Sequence, residues 1–363
     1  MKTLQTSETQ TDRSVKGTQH IVCCTAFTKQ SWKWFAPELS GENLHWHFYY
    51  RQPKGLLEKY VKHPNLTMIR TCREAVLAVK ENNAKILFTH DPPVSFWCAL
   101  FVKQLGVEVE HIAYSFNFAK LPRGVKHSLM TAAFADISRF VVYSTMEKQL
   151  YHEYFGIPLE RIDVCLWSVG QPEVQPDTPL ETGDYICAIG GNARDYHSLM
   201  VAMEQLPDIP LVLVARPENL KNLDIPTNVK VRVNIPKPHA YNIIKHSRFM
   251  VLPLSGSEVP CGHVTLVAAM HLGTAFAITN SDGVRDYAIE GHNALTCEAF
   301  SPDSLVQTIR NLWNNPEMCR ELGQNGLKFA QENCSETSAL RHLRNMLVQR
   351  GSIDTVETPV TLP

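Results

Sequence analysis

The chain has 363 residues, enough for two domains of ordinary size, and 44% hydrophobic with 20% charged residues marks a globular protein. Lys and Arg number 35 against 36 Asp and Glu, a net charge of −1, so no global field draws the molecule to nucleic acid. No apolar run reaches membrane-spanning length. The ten cysteines form no C-x-x-C pair and the 15 histidines no H-x-x-x-H spacing, so free thiols in a reducing compartment fit better than disulfides or zinc.

Met1–Thr18 is polar, rich in Thr and Gln, and reads as a disordered lead (1–18) without a signal peptide. An alternation of strand and helix follows. His20–Phe27 and Leu44–Tyr49 are strands, Thr71–Asn82 a helix, and Lys85–Phe88 a buried strand closing on Thr89, His90 and Asp91. Pro93–Leu105 is an apolar helix, and Glu110–Tyr114, Lys120–Ala135, Arg139–Tyr143 and Ser144–Phe155 continue the series. The pattern predicts an α/β domain over 19–170, with a parallel sheet and helices on both faces. Trp167–Gly183 carries Gly170, Pro172, Pro176, Pro179 and Gly183 without periodicity and marks a linker, 171–184. A second alternating set fills 185–334: Tyr185–Ile189, Tyr196–Gln205, Leu211–Val214, Val229–Val233, His239–Ser247 and Phe249–Leu252. A helix after Gly262, the strand Ala275–Ile278 and the helices Asp303–Asn314 and Pro316–Asn333 complete it. Ser335–Gln349 predicts one more helix (335–350), and 351–363 a loose tail.

The segment from Pro260 to Ile278 is the most informative. It reads as a Gly-containing turn, a helix from His263 that stops at Leu272–Gly273, and a buried strand. A glycine at a helix start lets backbone approach a ligand closely, and the free N–H groups of the first turn favour an anion. Neither a Walker lysine motif nor G-x-G-x-x-G is present. With Gly283, Asp286 and Gly291 in the following loop and two helices beyond, this stretch resembles the donor-binding core of retaining GT-B glycosyltransferases, specifically glycosyltransferase family 4. The resemblance covers the C-terminal half and extends in part to Glu147–Val169. It implies two Rossmann-like domains facing a cleft, with the last helix returning to the N-terminal domain. It also implies a nucleotide diphosphate sugar as donor, a UDP-sugar foremost, and a saccharide or glycolipid acceptor in polysaccharide or glycoconjugate biosynthesis. One departure stands out. Ala268 occupies the position of the family's motif glutamate, which grips the donor ribose; Glu258 is the nearby candidate for a substitute contact.

Ligands of open α/β sheets sit beyond the carboxyl ends of the strands. A leaving diphosphate is stabilised there by cations and a helix N-terminus without a metal. The donor candidates are therefore Cys261, Gly262, His263, Val264 and Thr265 at the helix start, Gly190, Gly191 and Arg194 in the Gly190–Tyr196 loop, and Arg216. The family has a basic residue at Gly191; Arg216 either replaces it, lines the base pocket or is an exposed loop arginine. By resemblance, Asn234 and Ile235 meet the base through backbone groups. His90 and Asp91 are the catalytic candidates, able to orient sugar hydroxyls or assist proton transfer, with helix capping the competing role for Asp91. On the acceptor side stand Trp32 and Trp34, for ring stacking or simple packing, and Asn117. Lys120, Arg123, Lys126 and His127 near Leu121, Leu129 and Met130 form either a solvated helix face or a basic amphipathic face suited to anionic lipid. The expectation is a cytoplasmic glycosyltransferase with no metal cofactor, peripheral at the inner membrane face. A nucleotide-sugar-binding protein without turnover and a sugar-nucleotide epimerase remain alternatives.

Overall fold

The computed structural model describes residues 18–27, 39, 43–55, 58, 60, 65–256 and 260–350. The candidates Trp32, Trp34 and Glu258, the lead 1–17 and the tail 351–363 lie outside the described residues.

Apolar runs without a polar alternate have no solvent face, so they become strands covered on both sides. Six such strands make the N-terminal sheet: β1 (Gln19–Thr25), β2 (Leu44–Tyr50), β3 (Ile86–His90), β4 (Glu110–Tyr114), β5 (Arg139–Val142) and β6 (Ile162–Val164), ordered β2-β1-β3-β4-β5-β6. The C-terminal sheet comprises β7 (Ile186–Ile189), β8 (Leu211–Ala215), β9 (Val229–Val233), β10 (Met250–Leu252), β11 (Phe276–Thr279) and β12 (Leu295–Cys297), ordered β12-β11-β10-β7-β8-β9. Every named pairing is parallel. The strand order reverses between β1 and β3 in one sheet and between β7 and β10 in the other. Successive connections leave for opposite faces at such a point, which opens a crevice there. β6 and β12 were not expected from the sequence, because three residues are too few to show a period.

The helices are α1 (Leu66–Glu81), α2 (Pro92–Leu105), α3 (Val125–Phe134), α4 (Thr145–Phe155), α5 (Tyr196–Glu204), α6 (Lys237–His246), α7 (His263–His271), α8 (Pro302–Asn314), α9 (Pro316–Asn333) and α10 (Glu336–Gln349). α1 starts ahead of its expected position because Asn65 caps it, accepting from Met68 N at 3.1 Å. The helix expected over Lys120–Ala135 forms only from Val125. Pro122 precedes it, and Gly124 holds a positive φ of 57° immediately before the first turn.

Three features join the two halves. Tyr287 is fully buried, and its hydroxyl donates to Tyr143 O at 2.6 Å while accepting from Trp167 N at 2.8 Å. Asp286 accepts from Thr145 N at 2.6 Å and Oγ1 at 2.9 Å, which places a carboxylate on the positive end of α4. After Val169 N donates to Cys334 O at 3.0 Å, α10 crosses back to the N-terminal sheet. There Leu340, Leu343, Met346 and Leu347 pack with Ile21, Cys23, Phe88 and Val141. The aperiodic segment 171–184 is anchored as well. Glu181 pairs with Lys230 and Arg232 at 2.6 Å each, and buried Asn242 binds Leu180 N and Thr178 O at 3.0 Å.

The described cysteines are free thiols. No local spacing marks Cys24, Cys72 and Cys98 as neighbours, yet their sulfurs lie within 4.8 Å of one another, in the apolar cluster between β1, α1 and α2.

If α10 belongs to the core beneath the N-terminal sheet, Leu347→Ala destabilises the protein by about 2–5 kcal/mol, the usual cost of a cavity at a buried leucine. Denaturant unfolding of the variant and parent measures it, and a change below about 0.5 kcal/mol would detach α10 from the core.

Candidate functional site

A cavity of about 800 Å³ opens between the carboxyl ends of the two sheets. Its N-terminal wall is Asn117, Phe118, Ala119, Tyr143 and Trp167; its C-terminal wall is residues 190–194, Arg216, Glu218 and residues 260–265. The C-terminal wall lies at the β7/β10 switch point. Main-chain bonds lace its loops together: Asp195 N donates to Pro253 O at 3.0 Å, and Ser255 N to Ala193 O at 3.1 Å. Tyr196 adds its hydroxyl to Gly190 O at 2.6 Å.

Arg194 lies in this lacing. Its Nη1 donates to Asn192 O at 2.7 Å and its Nη2 to Thr265 Oγ1 at 3.4 Å, which ties the β7 loop to the first turn of α7. Burial pulls its pKa below the usual arginine value, and among the described residues no carboxylate pairs with it. Asp195 is occupied elsewhere, capping α5 by accepting from Ser198 N at 3.1 Å. A half-buried cation without a counter-charge is stabilised by an anion placed beside it.

The start of α7 supplies the second attraction. Gly262 has φ 100°, which strains any other residue, and a Cβ there would crowd Leu254 Cδ2 at 3.2 Å. No side chain caps this helix. Its first-turn residues line the cavity; Thr265 N already donates to Gly262 O at 3.1 Å, which leaves the N–H groups of His263 and Val264 for the space beside Arg194. His263 plays a different part from its neighbours. Its Nε2 donates to Gly283 O at 2.8 Å and its ring packs on Tyr287 at 4.7 Å. Burial lowers its pKa, so the ring is neutral and secures the 281–287 loop.

Gly191 stands where a basic residue was expected. A Cβ on it would lie 2.9 Å from Arg216 Cδ and Nε, so the Arg216 side chain runs over the space this glycine leaves. Arg216 also donates to Asn192 Oδ1 at 3.0 Å and lies 3.9 Å from Glu218. The second cation of the wall therefore comes from the end of β8.

Four candidates do not line the cavity. His90 ends β3 against the Phe27 ring, 4.6 Å away, and burial depresses its pKa to about 3, so it is neutral. Asp91 has φ 90° and its side chain makes no capping bond, so the expected capping role is not realised. Burial pushes its pKa up to about 6, opposed in part by Arg51. Asn234 is exposed beyond β9 with its N–H on Ala215 O at 3.4 Å, and Ile235 packs against the C-terminal core. Ala268 is 1% exposed inside α7 and is also absent from the wall. Tyr143, Trp167 and Glu218 were missed. The first two sit at a strand end and in the aperiodic segment, where no spacing marks them, and Glu218 follows Arg216 in a short 3-10 turn.

Comparison with known proteins agrees with this geometry. Residues 193–329 match the family described as glycosyl transferases group 1. An uncharacterized glycosyltransferase of Haemophilus influenzae is 23% identical over 267 residues, which are 70% of this chain and 74% of that protein. Among solved structures, sucrose-phosphate synthase from Thermosynechococcus elongatus superposes with a TM-score of 0.70 at 13% identity, covering 92% of this chain and 99% of that one. Anabaena HepE in complex with UDP-glucose gives 0.67 at 11% identity, covering 91% and 99%. Two parallel sheets facing one cavity, on the frame these proteins share, make this a GT-B fold. The class is glycosyltransferase, with residues 193–329 similar to the glycosyl transferases group 1 family.

Asp91 yields a pH prediction. In the folded protein it holds its proton up to about pH 6, whereas an unfolded aspartate ionises near 3.8. The folded state thus binds the extra proton between these values, and stability falls as pH rises through that window. Asp91→Asn removes the effect. Its stability should match the parent near pH 3.5 and exceed it by about 1–3 kcal/mol at pH 7. Urea unfolding at both pH values checks this, and a pH-independent difference would refute the raised pKa.

Proposed function

We propose that this glycosyltransferase takes a nucleotide diphosphate sugar, a UDP-sugar foremost, and transfers the sugar with retention to a hydroxyl of a saccharide or lipid-linked acceptor. The observation that carries the reading is Arg194, without a described carboxylate partner, beside the uncapped start of α7 in one cavity. Together they suit a diphosphate leaving group. HepE, on the same fold, was solved with UDP-glucose. The only carboxylate on the described wall is Glu218, so no pair at metal-ligating spacing is offered there, and the diphosphate is held by protein groups without a metal. Glu218 is also the acceptor available to the ribose hydroxyls in place of the glutamate that Ala268 replaces.

Retention is carried by the resemblance to retaining GT-B enzymes. Immediately after Ala119 come the exposed residues Lys120, Arg123 and Lys126, with Val125 77% and Leu129 56% exposed. A basic rim around exposed apolar groups suits an anionic bilayer surface. This supports a lipid-linked acceptor and a peripheral position at the inner membrane face. Among the described residues no helix is long and apolar enough to cross a membrane.

The test is calorimetric binding of UDP and uridine. Arg194→Ala should weaken UDP about ten- to a hundredfold, the worth of a charge-assisted hydrogen bond, and leave uridine nearly unchanged. A chelator should not alter UDP binding by the parent. Equal weakening of UDP and uridine would remove Arg194 from the diphosphate site.

A further inference from the structure

Glu147 lies outside the cavity and is completely buried, yet it controls a group on the wall. It occupies the first turn of α4, where the helix dipole favours a carboxylate. Its oxygens are met by four donors. Oε2 accepts from Tyr143 N at 2.9 Å and Ser144 Oγ at 3.3 Å, and Oε1 accepts from Tyr151 OH at 3.1 Å and, in a short contact, from Asn117 Nδ2. Burial pushes its pKa above the ordinary carboxylate value, opposed by these same donors.

Of this set Asn117 and Tyr143 line the cavity, but Tyr143 meets Glu147 through its main chain; Asn117 does so through its side chain, and among the described residues nothing bonds to its Oδ1. A carboxylate only accepts, so the face of the amide turned to Glu147 is the NH2. In a planar amide the oxygen then points away from Glu147.

We propose that Glu147 is a positioning residue that locks the Asn117 amide with its carbonyl oxygen toward the cavity, giving that wall an acceptor for a hydroxyl of the sugar carried by the nucleotide. This rests on the nucleotide-sugar reading. With the diphosphate at Arg194 and the start of α7, the attached sugar reaches across to the Asn117 wall of the same cavity. Ser115, two residues earlier, has φ 53° and accepts a hydrogen bond from Tyr143 OH at 2.5 Å, so the loop carrying Asn117 is held at both ends.

Glu147→Gln keeps the size but offers an NH2 to Asn117, which turns the amide over and presents a donor to the cavity. Adding Asn117→Asp to that variant restores an acceptor on both sides. Binding of UDP, UDP-glucose, UDP-galactose and UDP-N-acetylglucosamine is measured for each protein. For the tightest sugar nucleotide, E147Q should lose about five- to tenfold in affinity while UDP is unchanged, and the double variant should regain it. A merely structural role would weaken UDP and the sugar nucleotide together. An E147Q ratio equal to the parent's, or a parent that binds no sugar nucleotide more tightly than UDP, overturns the positioning role. A parent that binds neither UDP nor any of the three sinks the nucleotide-sugar reading itself. A second measurement needs no ligand. Asn117→Asp alone sets two carboxylates face to face, so its Tm should fall and E147Q should recover it. An unchanged Tm for N117D would show that the amide is not turned to Glu147.

Discussion

A half-buried guanidinium beside an uncapped helix start is the constraint on which the rest of this structure depends. Arg194 reaches Thr265 only because the loops after β7 and β10 are laced by main-chain hydrogen bonds. Those loops come together only because the strand order reverses between β7 and β10. Helix dipole and cation then act on one point in a space with few counter-charges, where electrostatic attraction is strongest. On the proposed reading, these are the fixed donors that a diphosphate meets.

The opposite wall follows a different logic. It carries amide, phenol and indole groups and no described charge, and its polarity is arranged from behind by the buried carboxylate of Glu147. The two walls share a boundary at Tyr287. Its hydroxyl bridges Tyr143 and Trp167, both on the N-terminal wall, while its ring packs on His263 of the C-terminal wall. One buried side chain therefore couples the geometry of both sides, and any relative movement of the two sheets must break or carry these bonds.

Much of this was legible in the chain. Strands such as β1 and β8 are apolar runs, and burial on both faces leaves them no other fate. Gly262 ahead of an apolar helix, and Arg194 in a glycine loop, mark the anion site because backbone approach and charge are local properties. Gly191 and Arg216 were legible in part. The missing basic group was visible, but its replacement from another strand end depended on how β7 and β8 lie side by side.

The sequence by itself determined the α/β class, the two-sheet alternation and the donor-side loop, since periodicity, glycine and capping act over a few residues. Tertiary structure alone decided which polar residues face the cavity. His90 and Asp91 looked catalytic by position, yet burial leaves one neutral and the other holding its proton up to about pH 6, and neither is among the described lining residues. Tyr143, Trp167 and Glu147 carried no local signal. Their roles arise from contacts across 144 and 120 residues to Tyr287 and across 30 residues to Asn117, and such distances in sequence leave no pattern to read.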